Sequence, residues 1–194
     1  KITLFEIIIN LLKHESSSFY LFLLSSIIFF ILNIIYISEP LVGEHEFRQT
    51  QTALTSFYLI ENGFSFDYET PVVGYPWSIP FEFPIFQSLV ANFSSFFNIQ
   101  LTATGRFVSL IFGYLCVLPI FNSLLLLGFS RKHTFYVLSL FLVSPLYIFW
   151  SGTFMSESIA LFLSLIFLNY SIKVFKGDYK AATFFIGSIF LTLA

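Results

Sequence analysis

The sequence predicts an all-α, polytopic membrane protein, and three observations carry this prediction. Apolar residues make up 57% of the 194 residues. Charged residues make up only 10%, whereas an average soluble domain contains roughly 25%. The mean hydropathy is +0.86, and 29 residues are Phe. Because so few charges do not cover a water-exposed surface, most of the chain must meet lipid.

Charge and cysteine content exclude several other classes. Nine Lys and Arg against eleven Asp and Glu give a formal net charge of −2, which does not suit a nucleic-acid-binding protein. Cys116 is the single cysteine, so an intrachain disulfide framework and a cysteine-based zinc site are excluded. The sequence also lacks a Gly-rich phosphate loop, a His-Glu-x-x-His pair and a Gly-x-Ser-x-Gly elbow.

Apolar stretches predict about five membrane helices, because a bilayer core of about 30 Å requires roughly 20 apolar residues in a helix. They cover residues 19–38, 106–129, 134–150, 159–172 (extendable to 156–174) and 181–194. The chain begins without Met and stops inside an apolar run. We therefore expect residues 1–194 to form a single membrane domain, the N-terminal part of a longer protein.

Basic residues predict the orientation, because they accumulate on the cytoplasmic side of a membrane. Seven of the nine fall in the N-terminal segment and in the second and fourth gaps: Lys1, Lys13, Arg131, Lys132, Lys173, Lys176 and Lys180. The N-terminus is then cytoplasmic, and residues 39–105 form a large outer loop with interfacial helices. Most acids lie on that outer side: Glu39, Glu44, Glu46, Glu61, Asp67, Glu69, Glu82 and Glu157. Loops of this length are usually functional or disordered, and its aromatic content argues against disorder.

A dense polar cluster opens the outer segment. It comprises Glu44, His45, Glu46, Arg48 and Gln49. One interpretation is an ordinary helix start with a surface pair between Glu44 and Arg48. The scarcity of charge elsewhere in the chain favours the alternative interpretation, a functional site at the level of the lipid headgroups.

A helix is predicted from about residue 45 to residue 59, with Asn62-Gly63 as its C-terminal stop. One apolar stripe of this helix is expected to pack on the membrane domain; its members are Phe47, Leu54, Phe57 and Tyr58. Prolines then predict an extended passage over residues 70–86, and a helix lying at the membrane interface is predicted over residues 84–97. The aromatic residues of the extended passage fit an interfacial belt or a sugar- or lipid-binding role.

Three charged residues further along are also candidates. Glu82 is flanked by aromatic residues, and an acid in such surroundings requires a metal, an arginine or a cationic substrate group as its partner. Arg106 opens the second span, where it either binds a phosphate group or extends towards the headgroups. Glu157 opens the fourth span, either as a helix N-terminal charge or as part of the outer site.

These motifs, in this order and topology, resemble the polyprenyl-phosphate-sugar-dependent glycosyltransferases of the GT-C class. The similarity is greatest to the dolichyl-phosphate-mannose protein mannosyltransferase-like and aminoarabinose transferase-like branch. It rests on residues 44–53 after the first span, Glu82-Phe83-Pro84, Gly105-Arg106-Phe107, and Pro145 followed by Glu157. The resemblance covers about residues 18–170.

The resemblance implies transfer of a sugar from a polyprenyl phosphate to a lipid, glycan or protein acceptor, on the outer face of a bacterial cytoplasmic membrane. An outer-loop carboxylate is the general base, and cationic groups neutralise the departing phosphate. Where many relatives have an Asp-Glu pair, this chain has His45-Glu46. The base is therefore Glu46, which we favour, or Glu44 or His45. Substrate binding is assigned to Arg48, Gln49, Arg106 and Glu157.

Some relatives bind a divalent metal, for which Glu82 and His45 are the candidate ligands, too few to define a site. The alternative functions are a surface-polysaccharide polymerase and a non-catalytic membrane scaffold or transport subunit. A transporter is disfavoured because the spans are almost free of ionisable residues.

Overall fold

The computed structural model describes residues 17–42, 44–70, 82–177 and 186–190, and the regular elements in these ranges are helices. In chain order they are α1 (Ser17–Ile34), α2 (Glu46–Asn62), α3 (Ile85–Phe97), α4 (Leu101–Leu115), α5 (Val117–Leu126), α6 (Arg131–Leu142), α7 (Pro145–Ser151) and α8 (Glu157–Phe175). Residues 186–190 are also helical. The all-α prediction is thus confirmed for the described part of the chain.

Three helical segments in the described ranges are long and apolar enough to cross a membrane. They are α1, the consecutive helices α4 and α5 taken together as Leu101–Leu126, and α8. Their lengths and compositions are those of an integral membrane protein. The second of them begins earlier than predicted, because uncharged residues before Arg106 continue the helix. The predicted fifth span, residues 181–194, lies largely outside the described residues.

The predicted span over residues 134–150 is broken. Helices α6 and α7 meet at an angle of 67° and count as a fourth span only if they are taken together. Pro145 causes the break, because proline lacks an amide hydrogen and disfavours the helical conformation in the residue before it. Ser144 accordingly has an extended backbone, with φ −61° and ψ 122°.

The membrane helices pack around an apolar core that lies mainly between α1, α4 and α6. Its buried members are Phe22, Phe29, Leu110, Val117, Leu138 and Leu142. Polar side chains buried between the helices pair with each other, as in the 2.9 Å hydrogen bond between Ser109 and Ser158 and the 3.1 Å bond from Asn169 to Ser123. Such pairing removes the cost of burying a polar group in lipid.

Helices α2 and α3 form a layer at one end of the bundle. They pack on each other, and α3 packs on α4. A second apolar cluster joins this layer to the bundle through Phe86, Val90, Val108, Phe154 and Ile159. The predicted stop of α2 is confirmed, since Gly63 adopts φ 82° and its amide bonds to the carbonyl of Leu59. The predicted helix over residues 84–97 is confirmed as α3.

The prediction that an apolar stripe of α2 packs on the membrane domain is wrong. Phe47 is 68% exposed and Phe57 is 47% exposed. The buried face of α2 instead carries the polar residues Gln49, Thr52 and Ser56. The Thr52 and Ser56 hydroxyls donate to backbone carbonyls one turn earlier, so these short side chains are buried without an unpaired donor.

Polar contacts of the described residues lie at two ends of the helical bundle. At one end, Arg106 contacts the backbone after α1, and the α2–α3 layer contacts the segment between α7 and α8. At the other end, Lys176 after α8 donates to the carbonyl of Leu126 in α5. Arg48, Glu82, Arg106 and Glu157 lie at the first of these ends, which we call the outer end after the side that the sequence predicts for it.

Replacing Gly105 with Ala is expected to destabilise the protein, although Ala favours a helix over Gly. A Cβ atom at this position would clash with the ring of Phe154, which is fully buried. Overpacking of this kind costs about 1–3 kcal/mol, measurable by chemical unfolding in detergent. The same change in a Phe154→Leu background, which removes the ring, is the control. Equal losses in both backgrounds would contradict the explanation.

Candidate functional site

The N-terminus of α2 places the three candidate bases in different surroundings. His45 has a left-handed backbone, with φ 56°, which turns the chain between Glu44 and Glu46. The imidazole of His45 packs against the indole of Trp150, with ring centroids 5.0 Å apart. Glu46 is an exposed residue in the first turn of α2. Glu44 borders a cavity that Arg106 also lines.

Arg48 joins two distant carboxylates. Its Nη2 atom lies 2.9 Å from Glu82 Oε1 and 3.0 Å from Glu157 Oε1. The three side chains are 51%, 23% and 31% exposed, respectively. The sequence left a metal, an arginine or a cationic substrate group as the partner of Glu82. In the structure, the partner is the guanidinium of Arg48. The expected surface pair of Arg48 with Glu44 is replaced by these two ion pairs.

Glu82 is the most constrained member of this group. Its Oε2 atom accepts hydrogen bonds from Gln87 Nε2 at 2.9 Å and from Ser156 Oγ at 3.1 Å. Its backbone is also fixed, because the Tyr68 hydroxyl donates to the Glu82 carbonyl and accepts from the Glu82 amide. We call Arg48, Glu82, Gln87, Ser156 and Glu157 the Arg48 cluster.

Gln49 ties the start of α2 to the segment before α8. Its Nε2 atom donates to the carbonyl of Glu44 at 3.1 Å, and its Oε1 atom accepts from the amide of Phe154 at 3.1 Å. The residue is 5% exposed. Because both ends of the amide are bonded to backbone, Gln49 positions its neighbours. It also borders the same cavity as Glu44, and the substrate contact predicted for it stays a prediction.

Replacing Gln49 with Ala is expected to lower the free energy of unfolding by about 1–3 kcal/mol, since the buried Phe154 amide loses its partner. Chemical unfolding of the purified protein measures the change. Gln51→Ala is the matched control, because it is the same substitution on the same helix at a residue with greater exposure. Equal stability of the two variants would contradict the role given to Gln49.

Arg106 forms a second charged centre beside the Arg48 cluster. Its guanidinium donates to the carbonyl of Tyr36 and, at 3.1 Å, to the carbonyl of Pro40. The residue is 8% exposed, and its buried Nε atom has no hydrogen-bond partner among the residues that the structure describes. A buried N–H group of a cation without a partner is costly, so this nitrogen is suited to an anionic ligand.

A cavity of about 880 Å³ lies next to Arg106. Its polar lining comes from Asn33, Glu39, Glu44, Gln49, Arg106 and Thr153, and its apolar lining includes Leu32, Val42, Val143, Ile148 and Phe149. We call it the Arg106 cavity. Charged groups on one part of the wall and aliphatic or aromatic groups on another suit an amphipathic ligand.

The structure brings most of the predicted site residues to the outer end, in two groups. Arg48, Glu82 and Glu157 meet in the Arg48 cluster. Glu44, Gln49 and Arg106 border the Arg106 cavity. Gln49 connects the groups, because its partner Phe154 lies two residues before Ser156. Glu46 and His45 are not among the residues that line the cavity.

Sequence reasoning missed three members of the site. Gln87 is one of several polar residues in α3, and nothing in the sequence connects Tyr68 with Glu82. Ser156 directly precedes Glu157, and that adjacency is the one signal that pointed to it.

The described residues do not include a group of three or more His, Cys, Asp or Glu side chains arranged to hold a metal ion. The two candidate ligands also have other contacts: Glu82 binds Arg48, and His45 packs on Trp150. The described residues therefore do not fit a metal site.

Comparison of the chain with protein-family models, curated proteins and solved structures gives no match.

Proposed function

We propose that this protein is a GT-C-type glycosyltransferase that moves a sugar from a polyprenyl phosphate to an acceptor at the outer face of the membrane. One observation carries the proposal. Four sequence segments that resemble the motifs of that class, far apart along the chain, meet at one end of the helical bundle through Arg48, Glu82, Arg106 and Glu157.

The Arg106 cavity is the donor site in this proposal. A polyprenyl phosphate has an anionic group on a long apolar chain, which matches a cavity with a buried guanidinium and a wall that includes Leu32, Ile148 and Phe149. The unpartnered Nε of Arg106 donates to the phosphate and stabilises the charge that develops as the phosphate leaves.

Glu44 is the general base in this proposal. It lines the same cavity as Arg106, whereas the carboxylates of Glu82 and Glu157 are paired with Arg48. The sequence favoured Glu46 as the general base. We favour Glu44 in its place, since Glu46 is not among the residues that line the cavity.

The reaction is a single displacement at the anomeric carbon. The acceptor oxygen forms the new glycosidic bond, and the bond from the anomeric carbon to the phosphate oxygen breaks. The phosphate departs with the bonding electron pair, and the acceptor proton passes to Glu44. The outer end faces the periplasm or cell exterior of a bacterium, and the N-terminus is cytoplasmic, in keeping with the distribution of Lys and Arg.

Replacing Glu44 with Gln is expected to lower the rate of sugar transfer by about 10²–10⁴-fold, the usual contribution of a general base. The measurement uses the full-length protein in vesicles with radiolabelled polyprenyl-phosphate hexoses and pentoses, supplied with the acceptor lipids of its own membrane. Glu61→Gln, the same substitution at an exposed acid near the end of α2, is the control. Transfer that is undiminished by Glu44→Gln, or absent from the wild-type protein with every donor, would refute the proposal.

A non-catalytic scaffold is the second candidate, and the Arg48 cluster favours it. Arg48 has two carboxylate partners within the chain, which is also how a purely structural ion pair is arranged. A scaffold requires no base, so it predicts equal behaviour of the Glu44→Gln and Glu61→Gln variants.

A further inference from the structure

An apolar groove lies in the corner between α3 and α4, separate from both charged centres. Its volume is about 410 Å³, and it is lined by Ile37, Phe93, Phe97, Ile99, Ala103, Thr104 and Phe107. The polar groups nearby are bonded internally: the Thr104 hydroxyl donates to Gln100, and the Ser94 hydroxyl donates to Ile99. The groove therefore offers carbon surface to a ligand.

The groove opens onto an uncharged surface. The sequence contains no Asp, Glu, Lys, Arg or His from residue 83 to residue 105. Four of the lining side chains are about half exposed: Phe93 at 45%, Phe97 at 55%, Ile99 at 51% and Phe107 at 49%. The neighbouring Phe96 is 82% exposed. A continuous patch of this kind marks contact with an apolar partner.

The position of the groove along the membrane normal identifies the partner. Leu101–Leu126 is a candidate membrane span and, at 1.5 Å per residue, is roughly 39 Å long. A hydrocarbon core of about 30 Å leaves roughly 4–5 Å beyond it at each end if the span is centred. Phe107 lies roughly 9 Å from the start of the span, which places it inside the hydrocarbon of the outer leaflet.

We propose that the groove binds one acyl chain of an outer-leaflet phospholipid, which fixes α3 against the start of α4. The lipid thereby supports α3, the helix that carries Gln87, whose amide holds Glu82. This site is independent of the proposed transferase activity, because none of its lining residues belongs to the Arg48 cluster or the Arg106 cavity.

Native mass spectrometry of the full-length protein, purified in a mild detergent, tests the proposal. The wild-type protein is expected to retain phospholipid, and Ala103→Phe, which fills the groove, is expected to lose most of it. Leu140→Phe adds bulk at a 71% exposed position of α6 and is expected to retain as much phospholipid as the wild type. Equal retention in the Ala103→Phe and wild-type proteins would overturn the proposal.

A fluorescence measurement keeps the proposal testable if Ala103→Phe does not fold. Phe107→Trp is introduced with Trp77→Phe and Trp150→Phe, which removes the two tryptophans of residues 1–194, and the emission of the same background without the new indole is subtracted. In dioleoylphosphatidylcholine vesicles, replacement of the lipid by its brominated form is expected to quench most of the emission, and acrylamide is expected to quench little. Strong quenching by acrylamide would place water in the groove. Weak quenching by both agents, together with a cross-linked dimer, would place a second copy there. Either result overturns the proposal.

Discussion

The Arg48→Met variant is expected to lose about 2–3 kcal/mol of its free energy of unfolding. Removing one partner of a fully buried ion pair costs about 3–5 kcal/mol, and an exposed pair contributes less than about 1 kcal/mol. The Arg48 cluster lies between these limits, because Glu82 and Glu157 are 23% and 31% exposed. Without the guanidinium, two carboxylates from different segments face each other with no cation between them. Chemical unfolding in detergent measures the loss.

Second substitutions distinguish this explanation from a general loss of packing. Adding Glu82→Gln to Arg48→Met is expected to restore part of the stability, since it removes one of the two unpaired charges. Arg48→Lys is expected to fall between the wild type and Arg48→Met, because an ammonium group keeps the charge but not the guanidinium geometry. If the double variant is as unstable as the sum of the single variants, the ion pairs are not the cause.

The Arg106→Met variant is expected to be destabilised by about 3–6 kcal/mol, because hydrogen bonds from a charged donor contribute about 1.5–3 kcal/mol each and two are lost. The carbonyls of Tyr36 and Pro40 accept these bonds, and they hold the segment after α1 against α4. If the proposed function is correct, the variant also loses the rise in melting temperature that polyprenyl phosphate produces in the wild type.

Two comparisons sharpen the Arg106 test. Lys132→Met removes a cation from the opposite end of the bundle, at an exposed residue of α6, and is expected to leave stability and ligand response unchanged. Arg106→Lys keeps the charge but lacks the planar fork that reaches two carbonyls, so it is expected to be less stable than the wild type. A fully stable Arg106→Met protein would show that these backbone bonds contribute nothing.

The sequence was sufficient for the elements with clear end signals. Gly63 ends α2 where a residue with positive φ was expected, and α8 (Glu157–Phe175) lies close to its predicted span. The α6–α7 pair was harder, because Pro145 reveals a break but not the direction in which the chain continues. The buried face of α2 was also missed, since an apolar stripe on an amphipathic helix turns towards lipid as readily as towards protein.

The candidate site was predictable as a set of residues but not as a set of contacts. The rarity of charge identified Arg48, Glu82 and Glu157, and the need of Glu82 for a cationic partner followed from the cost of burying an acid. The choice among a metal, an arginine and a substrate depends on how α2 packs against α3 and the start of α8. Those are long-range contacts, which local sequence patterns do not encode.

The break between α6 and α7 also affects the thickness of the layer that separates the two aqueous phases. Non-helical backbone at membrane depth is tolerated where it lines a water-filled cavity or is buried in protein, and Val143 and Pro145 at this break both line the Arg106 cavity. We expect water to enter the Arg106 cavity as far as the break. On this side of the bundle the insulating layer would then be about the length of α6, roughly 18 Å, instead of about 30 Å of hydrocarbon. The transmembrane voltage would fall across that shorter distance, and the local electric field would be correspondingly steeper.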